Sequence, residues 1–159
     1  MGRVSIVGGV LVCAIGFLSA AAARGAEGGA ASLDARWVKA MKANDLEGVL
    51  ACYAPDALLW LPDMPEARGA KAIRDAYSGF LGTMTVKDVS LVNTHYDDRG
   101  ELSAGWGNFS MTVQPKSGGA AVVMKGRFID VAKRVGGKWV YVADHASSEP
   151  APAPPAAKP

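Results

Sequence analysis

The second half of the chain, residues 85–147, alternates apolar and polar side chains and is interrupted by three short turns. This pattern constrains the fold more than any other feature. The turns lie at residues 97–100, 115–119 and 135–137, and each contains glycine. Alternation with a period of two residues predicts β-strands, and connections this short join antiparallel neighbours. The pattern therefore predicts a meander of four antiparallel strands.

The first half of the domain instead has apolar residues three or four positions apart, which predicts amphipathic helices. Ser32 and Asp45 are suitable N-caps for the first two. We predict helices at residues 33–43, 46–53 and 70–82, with a short strand at residues 57–61. Three helices and a meander pack as an α+β structure in which the helices cover one face of a curved antiparallel sheet.

The amino terminus has the features of a secretory signal peptide. With 159 residues, half of them apolar, the chain can form one domain with its own core. Residues 1–23 contain Arg3, an apolar run to Leu18 and small residues that suit cleavage near Ala23. The run is too short to favour a spanning helix. We therefore expect a periplasmic or secreted protein without a stable membrane anchor.

Composition divides the remaining chain into three parts. Residues 24–31 are small and glycine-rich and predict a flexible linker, and residues 32–148 form the predicted domain. Residues 149–159 are rich in proline and alanine and predict a disordered tail.

Charge and cysteine content exclude several classes of function. The chain has 17 Lys and Arg and 15 Asp and Glu residues, and loss of Arg3 with the signal peptide lowers the net charge from +2 to +1. A chain so close to neutral is not expected to bind nucleic acid. Cys13 lies in the signal peptide, which leaves Cys52 without a partner for an intramolecular disulfide. The two histidines lack metal-ligand spacing, and no phosphate-binding loop or dinucleotide fingerprint is present, so we expect no metal and no cofactor.

Several short motifs, in a particular order, suggest a family. They are Asn44-Asp45-Leu46-Glu47-Gly48, then Tyr53-Ala54-Pro55-Asp56-Ala57, then Gly69 with Ala72-Ile73-Arg74 and Tyr77, and finally Gly136-Gly137-Lys138-Trp139 with His145 and Ser147. Over residues 33–148 this order resembles the SnoaL-like and ketosteroid-isomerase-like branch of the nuclear-transport-factor-2-like superfamily. The resemblance implies a cone-shaped α+β barrel with a pocket between helices and sheet. The fold hosts isomerases, cyclases, dehydratases, epoxide hydrolases and non-catalytic assembly modules, so it does not by itself imply one reaction.

The resemblance to the steroid isomerases can be compared position by position. Their oxyanion-hole tyrosine corresponds to Trp37, their proton-shuttling aspartate to Leu61, and their protonated aspartate falls at or beside Ile129, next to Asp130. Enolisation needs a base and an oxyanion donor. We therefore expect no isomerase chemistry of that kind.

The last strand carries the best candidates for chemistry, Asp144 and His145. If Leu61 and Ile129 face the pocket, alternation places Arg127 there too, roughly opposite Asp144. Such a pair is either a ligand clamp, a base with an orienting cation, or a structural ion pair. His145 then points away from the pocket unless the strand bulges, and is either an acid–base group or a structural histidine.

The predicted ligand-binding residues combine aromatic, apolar and amide side chains. Aromatic residues on amphipathic helices line either the core or the pocket, and Asn108 offers a polar group in an otherwise apolar cone. The set is Trp37, Tyr53, Leu61, Tyr77, Trp106, Asn108, Ile129 and Val142.

Trp139 and Tyr141 alternate on the last strand and are predicted to lie on the convex face of the sheet. Large aromatic side chains on such a face indicate that it is covered, and domains of the family that this chain resembles commonly dimerise there. We therefore expect a homodimer through this face.

The sequence thus predicts an exported SnoaL-like domain that binds a small, largely apolar molecule in a cone-shaped pocket. A non-catalytic binding or assembly module fits the absence of the isomerase residues. The alternative is an isomerase, cyclase or lyase that works by proton transfer, with Asp144 or His145 as base and Arg127 as anion stabiliser.

Overall fold

A computed structural model describes residues 28–150 of the chain, which form three helices and one six-stranded sheet. The elements in chain order are α1 Gly29–Ala43, α2 Leu46–Leu50, β1 Tyr53–Trp60, β2 Ala67–Arg68, α3 Gly69–Thr83, β3 Met84–Arg99, β4 Leu102–Pro115, β5 Val122–Val135 and β6 Lys138–Ser148. The α+β class and the order of the elements are as the sequence predicted, except that the two-residue strand β2 was not predicted. The predicted signal peptide, residues 24–27 of the predicted linker and residues 151–159 of the predicted tail lie outside the described residues.

The sheet is curved, unclosed and mixed, with the strand order β2-β1-β6-β5-β4-β3. Strands β3 to β6 form the predicted antiparallel meander. Strand β1 runs antiparallel to β2 but parallel to β6, so the sheet is not wholly antiparallel. Parallel neighbours need a long crossover connection, and here it contains α3 and the first three strands of the meander.

The helices cover one face of this sheet. Helix α1 packs across β3, β4, β5 and β6, while α3 packs mainly against β1. Leu33, Met41, Leu59, Ile73 and Val89 are at most 1% exposed and belong to one continuous core cluster. Full burial of each such side chain contributes about 1.5–3 kcal/mol of transfer free energy.

Helix α1 begins earlier than the sequence suggested, at Gly29 rather than after Ser32. The backbone N–H of Ala30 donates to Ser103 Oγ of β4 at 2.8 Å, and Ala30 is fully buried. Residues 29–31 of the predicted linker are therefore helical, because packing against β4 extends the helix towards its amino terminus. Ser32 is not the N-cap, and its hydroxyl instead donates to the carbonyl of Gly29 at 3.1 Å.

Helix α2 begins as predicted but ends sooner. Asp45 Oδ1 accepts a hydrogen bond from the backbone N–H of Gly48 at 3.0 Å, so Asp45 is the predicted N-cap. The helix ends at Leu50 rather than Tyr53 because the carbonyl of Cys52 accepts a hydrogen bond from the backbone N–H of Tyr141 at 2.8 Å. That bond joins the chain to β6, so β1 starts at Tyr53, four residues before the predicted strand.

At the other end of the domain, the chain remains paired slightly beyond the predicted boundary. The backbone N–H of Glu149 donates to the carbonyl of Lys125 at 2.9 Å. The first residue of the predicted tail is thus still attached to β5.

Strand β6 contains a β-bulge that determines which of its side chains face inward. Val131 is opposite Ala143 and Ala132 is opposite Tyr141, so Val142 is an extra residue in the ladder. A bulge shifts the alternation of side chains by one position. As a result Tyr141 and Asp144, three residues apart, both face the helices.

The two aromatic residues predicted to lie on the convex face lie on the inner face instead. Tyr141 is 3% exposed and its hydroxyl donates to Asp34 Oδ1. Trp139 is half-buried against the core, and its carbonyl accepts a hydrogen bond from Arg36 of α1. The predicted location of the dimer face at these two residues was therefore wrong, because the helices already cover both side chains.

Candidate functional site

A cavity of about 150 Å³ lies between α1, α3 and the inner face of the sheet. Its wall is mostly apolar and is built largely from aromatic and methionine side chains, among them Trp37, Phe80, Phe109, Met111 and Phe128. A cavity of this volume and character accommodates a benzene-sized ring.

Three carboxyl groups interrupt the apolar wall: Asp34 on α1, Asp130 on β5 and Asp144 on β6. Asp34 is 3% exposed, Asp130 is 2% exposed, and Asp144 is half-buried. Asp130 and Asp144 are direct partners in the register of β5 and β6. Side chains in such a pair have Cβ atoms about 4.5–5.5 Å apart, so the two carboxyl groups interact across the cavity floor.

Asp34 is held by two tyrosine hydroxyls. Tyr141 donates to Oδ1 at 2.6 Å and Tyr96 donates to Oδ2 at 3.0 Å. Burial raises the pKa of Asp34 above its ordinary value, while the hydrogen bonds from Tyr141 and Tyr96 act in the opposite direction. The tyrosines thus stabilise its charged form.

The surroundings of Asp130 favour its protonated form. Burial, followed by the charges of Asp34 and Asp144, raises the pKa of Asp130 to about 9. Asp130 Oδ1 is buried without a hydrogen-bond partner among the described residues. The space for this carboxyl group exists because residue 105 is glycine, where a Cβ would lie 2.9 Å from Asp130 Oδ2.

Asp144 terminates a chain of hydrogen bonds. Its Oδ2 accepts the hydroxyl of Tyr53 at 2.5 Å, the hydroxyls of Tyr53 and Tyr77 are 2.6 Å apart, and Trp37 Nε1 donates to Tyr77 at 3.1 Å. Because Tyr53 gives its one proton to Asp144, Tyr77 must donate to Tyr53. Burial raises the pKa of Asp144 to about 6, against the hydrogen bond from Tyr53, which lowers it.

The two paired carboxyl groups therefore differ in protonation near neutral pH. Asp144 is mostly ionised and can accept a proton, whereas Asp130 carries one. Neighbouring titratable groups with separated pKa values are the arrangement that acid–base catalysis requires.

The structure brings together only some of the residues that the sequence selected. Trp37, Leu61, Tyr77 and Asp144 line the cavity. Tyr53 lies behind the wall and reaches the site through its bond to Asp144.

Arg127 and Ile129 do not face the cavity, contrary to the prediction. Arg127 is exposed and Ile129 is 50% exposed, and both lie on the outer face of the sheet. The inward residues of β5 are Phe128 and Asp130. The predicted alternation along β5 was shifted by one residue. A shift of one residue moves every side chain of a strand to the opposite face of the sheet.

The outer face also holds Trp106, Asn108 and His145. Trp106 is 41% exposed and lies opposite Ile129, which in turn lies opposite His145. Asn108 Oδ1 accepts a hydrogen bond from Asn93 at 3.3 Å and makes no contact with the cavity. His145 points outward, as simple alternation predicts. Val142, the bulge residue, packs against the core but does not line the cavity.

Asp34 and Asp130 are the site residues that the sequence analysis did not select. Asp34 precedes Trp37 by three positions and Met41 by seven. An acidic residue within the apolar stripe of a helix was the available signal. Asp130 was noted only as the neighbour of Ile129.

Two negative findings concern residues 28–150. No group of three or more His, Cys, Asp or Glu side chains there is arranged to hold a metal ion. Among the same residues, no helix has the length and apolar character needed to cross a membrane.

A family model for the SnoaL-like domain matches residues 35–142, which is more than half of the chain. The chain therefore belongs to the SnoaL-like domain family. A search of the curated proteins found no match.

Solved structures of the same fold have little sequence similarity to this chain. A ketosteroid isomerase-like protein from Erwinia carotovora atroseptica has a TM-score of 0.65 at 16% identity, with 74% of this chain and 92% of that chain covered. A proposed scytalone dehydratase from Novosphingobium aromaticivorans has a TM-score of 0.68 at 14% identity, covering 75% and 80%. A proposed dehydratase of the nuclear transport factor 2-like family from Streptomyces avermitilis has a TM-score of 0.63 at 16% identity, covering 76% and 94%. Identities this low establish the fold alone.

Proposed function

We propose that this domain binds a small, largely apolar molecule in its cavity and transfers a proton on it, with Asp144 as the base. The observation that supports this most directly is the pairing of Asp130 with Asp144 in an apolar cavity, which separates their pKa values. An enzyme that isomerises, cyclises or eliminates needs such a base and a polar group that fixes the substrate. The names of the isomerase-like and dehydratase neighbours are compatible with this class of reaction.

In this proposal each group has a separate task. Asp144 Oδ takes a proton from the substrate, and the proton returns to the rearranged molecule or leaves with water. Asp130 binds the polar end of the substrate beside Asp144, and Trp37 and Phe128 contact its apolar part. His145 and Arg127 have no part in the reaction, because both lie on the other face of the sheet.

The test is hydrogen exchange on the bound molecule. Native mass spectrometry of protein purified from its own source identifies the retained ligand, which is then incubated with the protein in D₂O. We expect catalysed incorporation of deuterium, with a rate that rises with pH through about 6 as Asp144 ionises.

Asp144→Asn should slow this exchange by about 10²-fold or more while the ligand still binds. The matched control is Asp56→Asn, because Asp56 is exposed and does not line the cavity. Unchanged exchange in a folded Asp144→Asn variant would remove Asp144 as the base. Binding without any exchange in the wild-type protein would instead favour the non-catalytic binding module.

We also propose that the protein is exported to the periplasm or secreted, on the basis of Arg3 and the apolar run that follows it. N-terminal sequencing of the protein from its own source should then begin near residue 24. A mature chain that begins at Met1 would contradict export through a cleaved signal peptide.

A further inference from the structure

Two carboxyl groups in the cavity wall have an oxygen without a hydrogen-bond partner among the described residues. The first is Asp130, which lines the cavity and is only 2% exposed. Its Oδ1 is buried and has no hydrogen-bond partner among the described residues. An unpaired buried oxygen of this kind is unfavourable unless a bound molecule or water donates to it. The second acceptor is Asp144, for which only Oδ2 has a partner among the hydrogen bonds of the described residues.

The donors around the cavity are already engaged. Tyr141 and Tyr96 donate to Asp34, Tyr53 donates to Asp144, and Trp37 donates to Tyr77. A ligand that needs to receive hydrogen bonds, such as a carboxylate or phosphate, would find only the proton of Asp130. The preferred ligand is therefore one that donates hydrogen bonds.

The charges of the residues that line the cavity narrow the class of ligand further. Three of the residues that line the cavity are aspartates, and none of the lining residues is Lys, Arg or His. The same wall presents the aromatic rings of Trp37, Tyr77, Phe109 and Phe128, whose faces attract cations. The described carboxyl groups are not arranged to hold a metal ion, which leaves an organic cation.

We infer that the ligand of this cavity is a small apolar amine in its protonated form, with its ammonium group on Asp130 beside the base Asp144 and its apolar part against the aromatic wall. This inference rests on the proposed function for the existence of an apolar ligand and adds its chemical class. Because the raised pKa of Asp130 favours its protonated form, we expect binding of an ammonium group at neutral pH to displace that proton to solvent.

The experiment compares three probes of the same size that differ in charge: benzylammonium, benzyl alcohol and benzoate. Isothermal titration of the full wild-type chain at neutral pH measures each affinity, and repetition in buffers of different ionisation enthalpy measures proton release. We expect benzylammonium to bind about tenfold or more tightly than benzyl alcohol. Benzoate should not bind, and proton release should accompany only the ammonium.

Asp130→Asn keeps the shape of the side chain but removes its ability to become charged. We expect this variant to lose most of the preference for benzylammonium while its affinity for benzyl alcohol stays within about twofold. Asp56→Asn is again the control and should keep the preference. If Asp130→Asn does not fold, the affinities and proton release of the wild-type protein decide the question alone.

The outcomes separate this inference from the proposed function. Benzyl alcohol binding as tightly as benzylammonium, or benzoate binding more tightly than either, would overturn the amine and leave the apolar ligand intact. Failure of all three probes to bind would contradict the apolar ligand itself and the amine with it.

Discussion

Asp130 shows how burial changes the chemistry of a single residue. Its carboxyl group lies between Asp34 and Asp144 in an apolar cavity, where a third negative charge would be unfavourable. Protonation removes that charge, so a residue that is an anion in water becomes a neutral acid in this protein.

This protonation predicts an unusual dependence of stability on pH. The pKa of Asp130 is raised from 3.8 to about 9, so the folded state holds the proton more tightly than the unfolded state. The corresponding contribution to stability is complete below about pH 4 and is lost as pH rises through about 9. Asp144, with a pKa raised to about 6, acts in the same direction between about pH 4 and 6.

Asp130→Asn cannot ionise and should therefore become more stable relative to the wild-type protein as pH rises from about 5 to about 9. Urea unfolding of both proteins across this range gives the difference in free energy of unfolding. Asp56→Asn should show no such trend. A difference between Asp130→Asn and wild type that does not change with pH would mean that Asp130 does not titrate in this range.

Some site residues could be predicted from the sequence and others could not, and the reason differs from one residue to the next. Trp37, Tyr77 and Asp144 line the cavity, and their helical or strand periodicity indicates the inner face. Asp130 was missed because Ile129, an apolar residue that favours burial, is exposed on the outer face. Hydrophobicity alone assigns the wrong face when the inner position holds an acid.

At the scale of elements, the β-bulge at Val142 explains why regular alternation along β6 fails. Alternation predicts Val140, Val142 and Asp144 inward, whereas the bulge places Tyr141 on the face that Asp144 occupies. The order of the other elements was predictable because each has a clear period and turn, whereas the two-residue strand β2 has neither. The bulge was not, since it depends on how β6 pairs with β5.

The carboxyl end of α1 is attached to β3 by one side chain. Asn44 has a left-handed backbone with φ of 54°, its Oδ1 accepts the N–H of Val86 at 2.8 Å, and its Nδ2 donates to the carbonyl of Val86 at 3.0 Å. These two bonds fix the helix that carries Asp34 and Trp37 over the sheet.

Asn44→Ala removes both hydrogen bonds and places alanine in a left-handed conformation, so we expect a loss of about 2–3 kcal/mol in the free energy of unfolding. Asn44→Gly removes the hydrogen bonds but tolerates the backbone, and should lose about 1 kcal/mol less. Chemical denaturation of the two variants measures this difference. Equal losses would show that the left-handed backbone contributes nothing.

At the scale of the whole molecule, the outer face of the sheet is exposed and contains apolar residues. Trp106, 41% exposed, stacks on His95 with ring centroids 5.9 Å apart and lies opposite Ile129, which is 50% exposed. Continuing across the sheet, Ile129 lies opposite His145, which meets Trp60 edge-on at 6.5 Å. Contiguous apolar surface of this kind is typical of an interface.

We propose that two copies of the chain associate through this outer face, rather than through Trp139 and Tyr141. The wild-type protein should then elute as a dimer in size-exclusion chromatography with light scattering at micromolar concentration. Ile129→Lys should shift it towards monomer by placing like charges opposite each other. Lys substitution at exposed Val135, in the same strand but near the turn, is the control. A wild-type monomer would contradict the proposal.

The parallel pairing of β1 with β6 also determines when the site can exist during synthesis of the chain. Leu59 on β1 pairs with Asp144 on β6, 85 positions later in the sequence. Asp34, near the start of the domain, and Asp144, near its end, face the same cavity. A chain released before β6 has formed has neither the last carboxyl group nor the strand that holds β1. Contacts between such distant positions form late and slow folding, so ligand binding should appear only after the complete domain has left the ribosome.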